Sequence, residues 1–444
     1  MCPLSIPCMT DRAMQALYLL ALEPLAETRG DPHSYGFRTG RSPAHAIGQC
    51  FNALAKRPSP TWIFAGDIRA CFATISHAWL LAHMPLDTAL LQKWLRAGYM
   101  EQRVLHPTAQ GTPQGGPCSP VRANLTLDGL ERLLRERYPK HTRRGTRAQV
   151  NVIRDADDFI VTGKPKALLQ EAVKPLIDQF LCERGLALSD AKTRITHIED
   201  GVDFLGQHLR KSRGNLLITP AKKNVQAFLA KVRGIIKAQK QTPAGTLILL
   251  LNPVIRGWAG YHQHVVSKRT FRAIDRAIFP TLWQWARRRH PTKPTRWVND
   301  RYFGPVGGRH WVLHGEAAGA ERQLLAAASI PMTRPIKVQR EANPFDPAWE
   351  RYVEHRLSRK MTTTLQGRRQ LLALWKAPTG LCPICHQPLT EITGWHSHHL
   401  LGRAKGGLDT TANRVLLHPD GHREVHRQAW HVAKPRPARG VGVA

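Results

Sequence analysis

The sequence predicts an α+β chain of several domains, and three observations predict it. The chain has 444 residues with 42% hydrophobic content, enough for roughly two to four domains with packed cores. Short apolar strand-like runs alternate with helical stretches up to about residue 210. Near residue 213 the composition changes to a basic helical pattern, and a compact histidine-dense unit follows near the C-terminus.

In chain order, the runs Trp62–Ala65 and Val150–Ile153 read as strands. A helix is expected from about Lys166 to Arg184, because apolar residues fall at 168, 169, 173, 176, 177, 180 and 181. Gly185 suits its C-terminal end. From Arg213 to Asp300 there are 17 Lys and Arg against two acids, a net charge of +15. Phe228, Trp258, Tyr261, Phe271, Trp283, Trp285 and Trp297 are interleaved with these charges. Ile274, Ile278, Leu282 and Trp285 recur at helical spacing. Residues 300–350, rich in Gly, Pro and Ala, read as connecting segments. The boundaries expected are 1–212, 213–300, 301–370 (connecting, DNA-binding), 371–432, and a disordered tail, 433–444.

Charge narrows the function classes. Lys and Arg number 65 and Asp and Glu 32, a surplus of 33. Such a surplus repels itself in a compact chain unless a polyanion relieves it, and nucleic acid is the natural partner. No apolar run approaches the roughly 18 residues of a membrane span, so no membrane partner is expected. No secretory signal is seen at MCPLSIPCMT. The eight cysteines are scattered apart from Cys382 and Cys385, which suggests a reducing compartment with one metal knuckle. In the basic stretch, Lys222, Lys223, Arg256, Lys268, Arg269, Arg272 and Arg287–Arg289 are candidates for phosphate contacts.

Two groups of residues carry chemistry. Asp67 ends the apolar run WIFAGD, and Asp157 and Asp158 sit in RDADDFIV between two strand-like runs. Three carboxylates at strand ends can hold the divalent cations of phosphoryl transfer, and Mg²⁺ suits such oxygen ligands. Near the C-terminus, eight of the 22 histidines lie between His386 and His431. His422 and His426 are four apart and share a helix face, so they can bind one metal with His398 as third ligand. His399 points the other way along its strand and is free to act as general base. Asn413 either braces the loop or orients His399.

The motifs SYGFRTGRS, GDIRACF, GTPQGGPCSP, RDADDF and KTRITHIEDGVDFLG occur in the order of reverse-transcriptase motifs. With LNPVIRGWAGYHQH in the basic region, the chain resembles a bacterial group II intron-encoded protein over about residues 6–430. The His-His, Asn, His-x3-His spacing resembles the HNH endonuclease module. The resemblance implies a right-hand polymerase with truncated fingers and a palm, a helical thumb or maturase domain, and a C-terminal ββα-metal module. It implies that Asp67 and Asp157 bind the catalytic Mg²⁺ ions and that Asp158 completes the cluster. Phe72 would pack under the sugar of a deoxynucleoside triphosphate, and Gln114 would lie against it. Glycines 111, 115 and 116 would allow close backbone approach. Intron RNA and a double-stranded DNA target are the implied partners, Mg²⁺ or Zn²⁺ the nuclease metal, and the bacterial cytoplasm the location.

The sequence departs from the family's pattern in three side chains. Asp155 stands where an aromatic precedes ADD, Ala73 where an acid follows Phe72, and Gly421 where a cysteine closes a zinc knuckle. Cys382, Cys385 and His418 remain as ligands for a structural Zn²⁺, with His386 or water as the fourth. These departures support an alternative, a splicing-only maturase or degenerate copy without polymerase activity. A nuclease on a basic DNA-targeting scaffold is a third reading.

Overall fold

The computed structural model describes residues 7–101, 104–112, 115–365, 369–403, 406–428 and 430–435. Two compact units divide at Glu341/Ala342. The predicted palm and thumb regions therefore share one unit. The C-terminal unit starts about thirty residues before the expected boundary at 371.

The first unit is organised on a four-stranded antiparallel sheet. Its strands are β1 (Trp62–Asp67), β4 (Asn151–Asp155), β5 (Asp158–Gly163) and β6 (Arg194–His197), in the order β4-β5-β1-β6. A ribbon of β2 (Tyr99–Glu101) and β3 (Val104–His106) lies between β1 and β4 in sequence. Aromatic and β-branched residues dominate β1 and β5, as a pleated buried surface favours. Phe64, Val152, Phe159 and Val161 pack into one core with Leu169, Val173, Ile177 and Leu181. Their neighbours Ile63, Ile153 and Ile160, which alternate to the other face, are as fully buried. Burial on both faces explains why these strands read as continuous apolar runs.

The helix expected over 166–184 is present with a local change of pitch. Leu168–Val173 forms a π-helical turn and Lys174–Cys182 continues as α-helix. Pro175 has no N–H for the usual ladder, and a widened turn absorbs the missing bond. Gly185 (φ +72°) terminates the helix, with the Leu186 N–H donating back to the Leu181 carbonyl at 2.9 Å.

Strands β7 (Val202–Phe204), β8 (Gln207–Ser212) and β9 (Asn215–Pro220) form a three-stranded sheet that leads into three helices, Lys222–Ala238, Ala244–His262 and Lys268–Arg289. The predicted stripe Ile274, Ile278, Leu282 and Trp285 is buried among them with Phe228, Val232 and Leu251. Two of the tryptophans interleaved with the charges are packing residues. Trp285 donates to the Gln239 carbonyl at 2.7 Å, and Trp258 stacks on Phe228 at 4.6 Å.

Residues 301–370 are not a connector. Strands β10 (Phe303–Val306), β11 (Arg309–Ala317) and β12 (Ala320–Gln323) form an antiparallel sheet whose Phe303 and Leu313 join the helical core. Strands that mix charged and polar residues with apolar ones, such as RHWVLHGEA, hide from an apolar-period reading. Helix Glu350–Leu365 belongs to the second unit, where Met361 and Leu365 pack with Leu374, Trp375, Val415, Leu417 and Val425. That unit ends in a hairpin, β13 (His396–His399) with β14 (Arg414–Leu417), followed by helix Pro419–Gln428. Among the described residues no helix is long and apolar enough to cross a membrane. Most of the expected tail lies outside the described residues.

Candidate functional sites

Antiparallel register assembles the acidic site. Asp67 is the direct partner of Asp158 across β1 and β5, and Asp155 partners Asp158 at the end of the β4–β5 hairpin. Ala156 (φ +58°) turns the chain, which brings Asp157 to the same sheet end. Arg154 holds this turn. It is buried, pairs with Asp128, and donates to the Ala156 carbonyl at 3.3 Å. The SYGF segment runs beside β4, with the Tyr35 N–H bonded to the Arg154 carbonyl. Gly36 lies against the turn so closely that a Cβ there would meet the Ala156 nitrogen at 2.3 Å.

Asp67, Asp157, Phe72 and Lys192 line one cavity of about 340 Å³. Phe72 follows left-handed Ala70 (φ +48°) and meets Phe37 edge-on at 6.2 Å. Gly111 (φ +83°) closes the loop against this turn, and a Cβ there would sit 2.6 Å from the Ala73 carbonyl. Gln114 lies outside the described residues. Lys192, which the sequence reading did not single out, pairs with Asp67 at 3.1 Å. Its signal was its place at the head of KTRITHIEDGVDFLG, not its spacing.

Burial first, then the charges of Asp157 and Asp67, pushes the Asp158 carboxyl up to about 6. Burial, then Asp158, pushes Asp155 up to about 6. Burial also raises Asp157. A crowd of carboxylates resisting ionisation is the environment that a divalent cation relieves. Asp155 therefore adds a fourth acid to the site, and its Oδ2 is buried without a hydrogen-bond partner.

Not all the predicted phosphate contacts are free. Lys268 donates to the carbonyls of Ala328 and Ile330 at 2.8 and 2.6 Å. Arg289 donates to the Thr242 carbonyl and covers Trp285. Lys222, Lys223, Arg256, Arg269, Arg272, Arg287 and Arg288 are exposed.

In the second unit, His398, His422 and His426 bring one ring nitrogen each within 4.8 Å of one another. His398 is buried and its Nδ1 has no hydrogen-bond partner. Three converging imidazoles, one of them buried with an unpartnered ring nitrogen, fit a bound divalent cation. Burial and the neighbouring rings lower the pKa of both His398 and His422, which favours the neutral ligand form. His399 alternates to the other side of β13, and its Nε2 lies 3.0 Å from Asp409 Oδ1. Arg403 and Arg414 hold Asp409 at 3.2 and 3.3 Å. Sequence reasoning missed Asp409, because its loop position carried no periodic signal. Asn413 braces the loop instead of orienting His399: it exchanges hydrogen bonds with Leu401 and donates to Leu408.

Cys382, Cys385 and His418 form a second group with ligand atoms within 4.8 Å, and Cys385 Sγ lies 3.1 Å from His418 Nδ1. His386 is not among them. The chemistry of two thiols and an imidazole fits zinc, one ligand short of a closed site. The Cys382 thiol is held below its usual value because hydrogen bonds, the first from the Cys385 backbone, outweigh its burial.

Residues 1–209 match the reverse transcriptase (RNA-dependent DNA polymerase) family, and residues 225–303 match the group II intron, maturase-specific domain. Protein YkfC of Escherichia coli (strain K12) is 30% identical over 242 residues, which span 48% of this chain and 64% of that protein. Group II intron-encoded protein LtrA of Lactococcus lactis subsp. cremoris is 27% identical over 300 residues, 53% of this chain and 49% of that protein. The chain thus spans less than two thirds of either relative. A telomerase structure from Candida albicans aligns over 65% of this chain and 56% of its own at 11% identity, with a TM-score of 0.35, too loose to add to these matches. The two domains in this order, with the intron-encoded relative, support a group II intron reverse transcriptase and maturase.

Proposed function

We propose that this chain is an intron-encoded protein that binds its intron RNA to assist splicing and supports intron mobility. In this reading the palm carries out RNA-directed DNA synthesis from deoxynucleoside triphosphates. The C-terminal unit, an HNH-type nuclease, nicks a double-stranded DNA target, and the work takes place in the bacterial cytoplasm. The observation that carries the reading is the register that sets Asp67 opposite Asp158, with Asp157 and Phe72 on one cavity.

Asp67 and Asp157 would hold Mg²⁺, which supplies charge stabilisation to the attacking and leaving oxygens. The Phe72 ring walls the cavity where a sugar would lie and favours one without a 2′-hydroxyl. The exposed Lys192 ammonium beside Asp67 supplies positive charge at the cavity mouth.

In the second unit His398, His422 and His426 would hold Mg²⁺ or Zn²⁺, which stabilises a leaving phosphate oxygen. The His399 tautomer follows from its partner. With the Nε2 proton donated to Asp409, Nδ1 keeps the lone pair that accepts a proton from water. Cys382, Cys385 and His418 would hold a structural zinc.

Primer extension on a primed RNA template with Mg²⁺, beside an Asp157→Ala control, tests the palm. Extension abolished in the control is expected, and extension that survives the substitution refutes the assignment. The fourth carboxylate, Asp155, favours a second reading, a splicing-only RNA-binding protein. That reading predicts salt-dependent RNA binding with no extension by the unaltered chain.

A further inference from the structure

Helix Lys268–Arg289, strand β11 and the segment Leu324–Ala326 line an open cavity of about 520 Å³, in the range of ligand sites. Its floor is aliphatic, including Ile278 and Leu282, and Phe279 and Trp311 line it as aromatic walls. Arg276 and Arg309 stand exposed at its rim. The one acid in the lining, Asp275, is engaged, with its two oxygens accepting the N–H groups of Ala327 and Ala328 at 2.8 and 3.0 Å.

Trp311 is held in an unusual way. The β10–β11 register shifts between Gly304 and Val306, so His310 and Trp311 together oppose Pro305. This is a β-bulge, and Trp311 occupies it at φ +66°. Left-handed bulge positions suit glycine, and a bulky residue there is an outlier. The bulge aims the indole edge-on at Phe279 (6.0 Å) and Trp283 (5.9 Å) and leaves it 50% exposed. The indole keeps half its surface open beside an apolar cavity with a cationic rim.

We infer that this cavity takes one unpaired nucleotide of a single-stranded RNA segment, with the base stacked on Trp311 and its phosphate on Arg276 and Arg309. The inference rests on the RNA-binding reading above. It extends that reading to a base-contacting residue beyond the maturase-specific match, which ends at residue 303. Proteins select unpaired bases in folded RNA through aromatic stacking combined with backbone charge, the combination found here.

The test uses the full chain, a short poly-uridine RNA, and anisotropy at fixed salt. Trp311→Gly suits the left-handed backbone, so it removes the ring without straining the fold. It should weaken RNA binding by about thirtyfold, the middle of the stacking range, with an unchanged or higher melting temperature. Trp311→Phe should retain most of the affinity. Arg276→Gln with Arg309→Gln should flatten the salt dependence by about 0.7 for each phosphate no longer neutralised. An RNA carrying 2-aminopurine should be quenched by the unaltered chain and not by Trp311→Gly. If Trp311→Gly binds RNA as tightly as the unaltered chain, the cavity inference is overturned while the RNA-binding reading stands. If the unaltered chain fails to bind RNA, that reading itself falls. Weakening confined to a poly-thymidine DNA of equal length overturns the RNA assignment.

Discussion

Replacing Gly421 by cysteine should convert the three-ligand knuckle into a closed zinc site. Gly421 lies in the first turn of helix Pro419–Gln428, in a conformation open to any residue. A Cβ built there meets Ile384 at 3.7 Å and Cys382 Sγ at 4.0 Å, both ordinary contacts. The new thiol therefore enters without displacing a neighbour. Tetrahedral zinc with bonds near 2.3 Å places its sulfurs about 3.8 Å apart, a spacing within reach from that Cβ. Four-ligand structural sites bind zinc with roughly 10–16 kcal/mol, so one ligand contributes about 2.5–4 kcal/mol. Gly421→Cys should then tighten zinc binding by about 10²- to 10³-fold. Competition against a chromophoric chelator measures this directly. Thermal melts with and without zinc should show the variant gaining more from the metal than the unaltered chain. Equal zinc affinity in both proteins would mean that Cys382, Cys385 and His418 do not surround a metal, and would refute the reasoning.

Three further outcomes are expected. Asp409→Asn should lower nicking of supercoiled DNA by ten- to a hundredfold at unchanged metal affinity, because partners that orient a histidine carry about that effect. Nicking unchanged by the substitution would remove Asp409 from any role at His399. Asp155→Asn should stabilise the fold at pH 7 by about 1 kcal/mol after allowance for partial exposure. The sign follows from the pKa raised to about 6. The folded state binds that proton more tightly than the unfolded chain, so the penalty is fully present above pH 6 and fades as pH falls toward 4. Melting temperatures across pH 4–8 check this, and an Asn variant less stable at pH 7 contradicts it. Lys268→Ala should lower the melting temperature with little change in RNA affinity, because its ammonium is spent on the Ala328 and Ile330 carbonyls. An RNA-binding loss as large as that of Arg272→Ala would contradict that placement.

Much of the site was legible because local chemistry carries it. Four-residue spacing alone puts His422 and His426 on one helix face, and strand alternation alone separates His398 from His399. The stripe at Ile274, Ile278, Leu282 and Trp285 announces a buried helix before any coordinate is known. Gly185 announces a helix end, because few other residues take up φ near +72° without strain. The pattern failed where the signal is long-range or mixed. β11 carries Arg309, His310, Gly315 and Glu316 among its apolar residues, so no period marks it as a strand. Pro175 lies inside an apolar period, and only the widened turn shows how the helix accommodates it.

The sequence by itself determined the charge, the helical stripes, the strand-end acids and the metal-ligand spacing, since each depends on residues a few positions apart. Tertiary structure decided which of these meet. The pairing of Asp67 with Asp158 joins positions 91 apart, and that of His399 with Asp409 depends on how one loop folds back. Whether Lys268 faces a phosphate or a carbonyl, and whether Trp311 is covered or open, depends on packing between elements that carry no mark of one another. Strand register and helix packing set those distances, and side-chain type alone does not encode them.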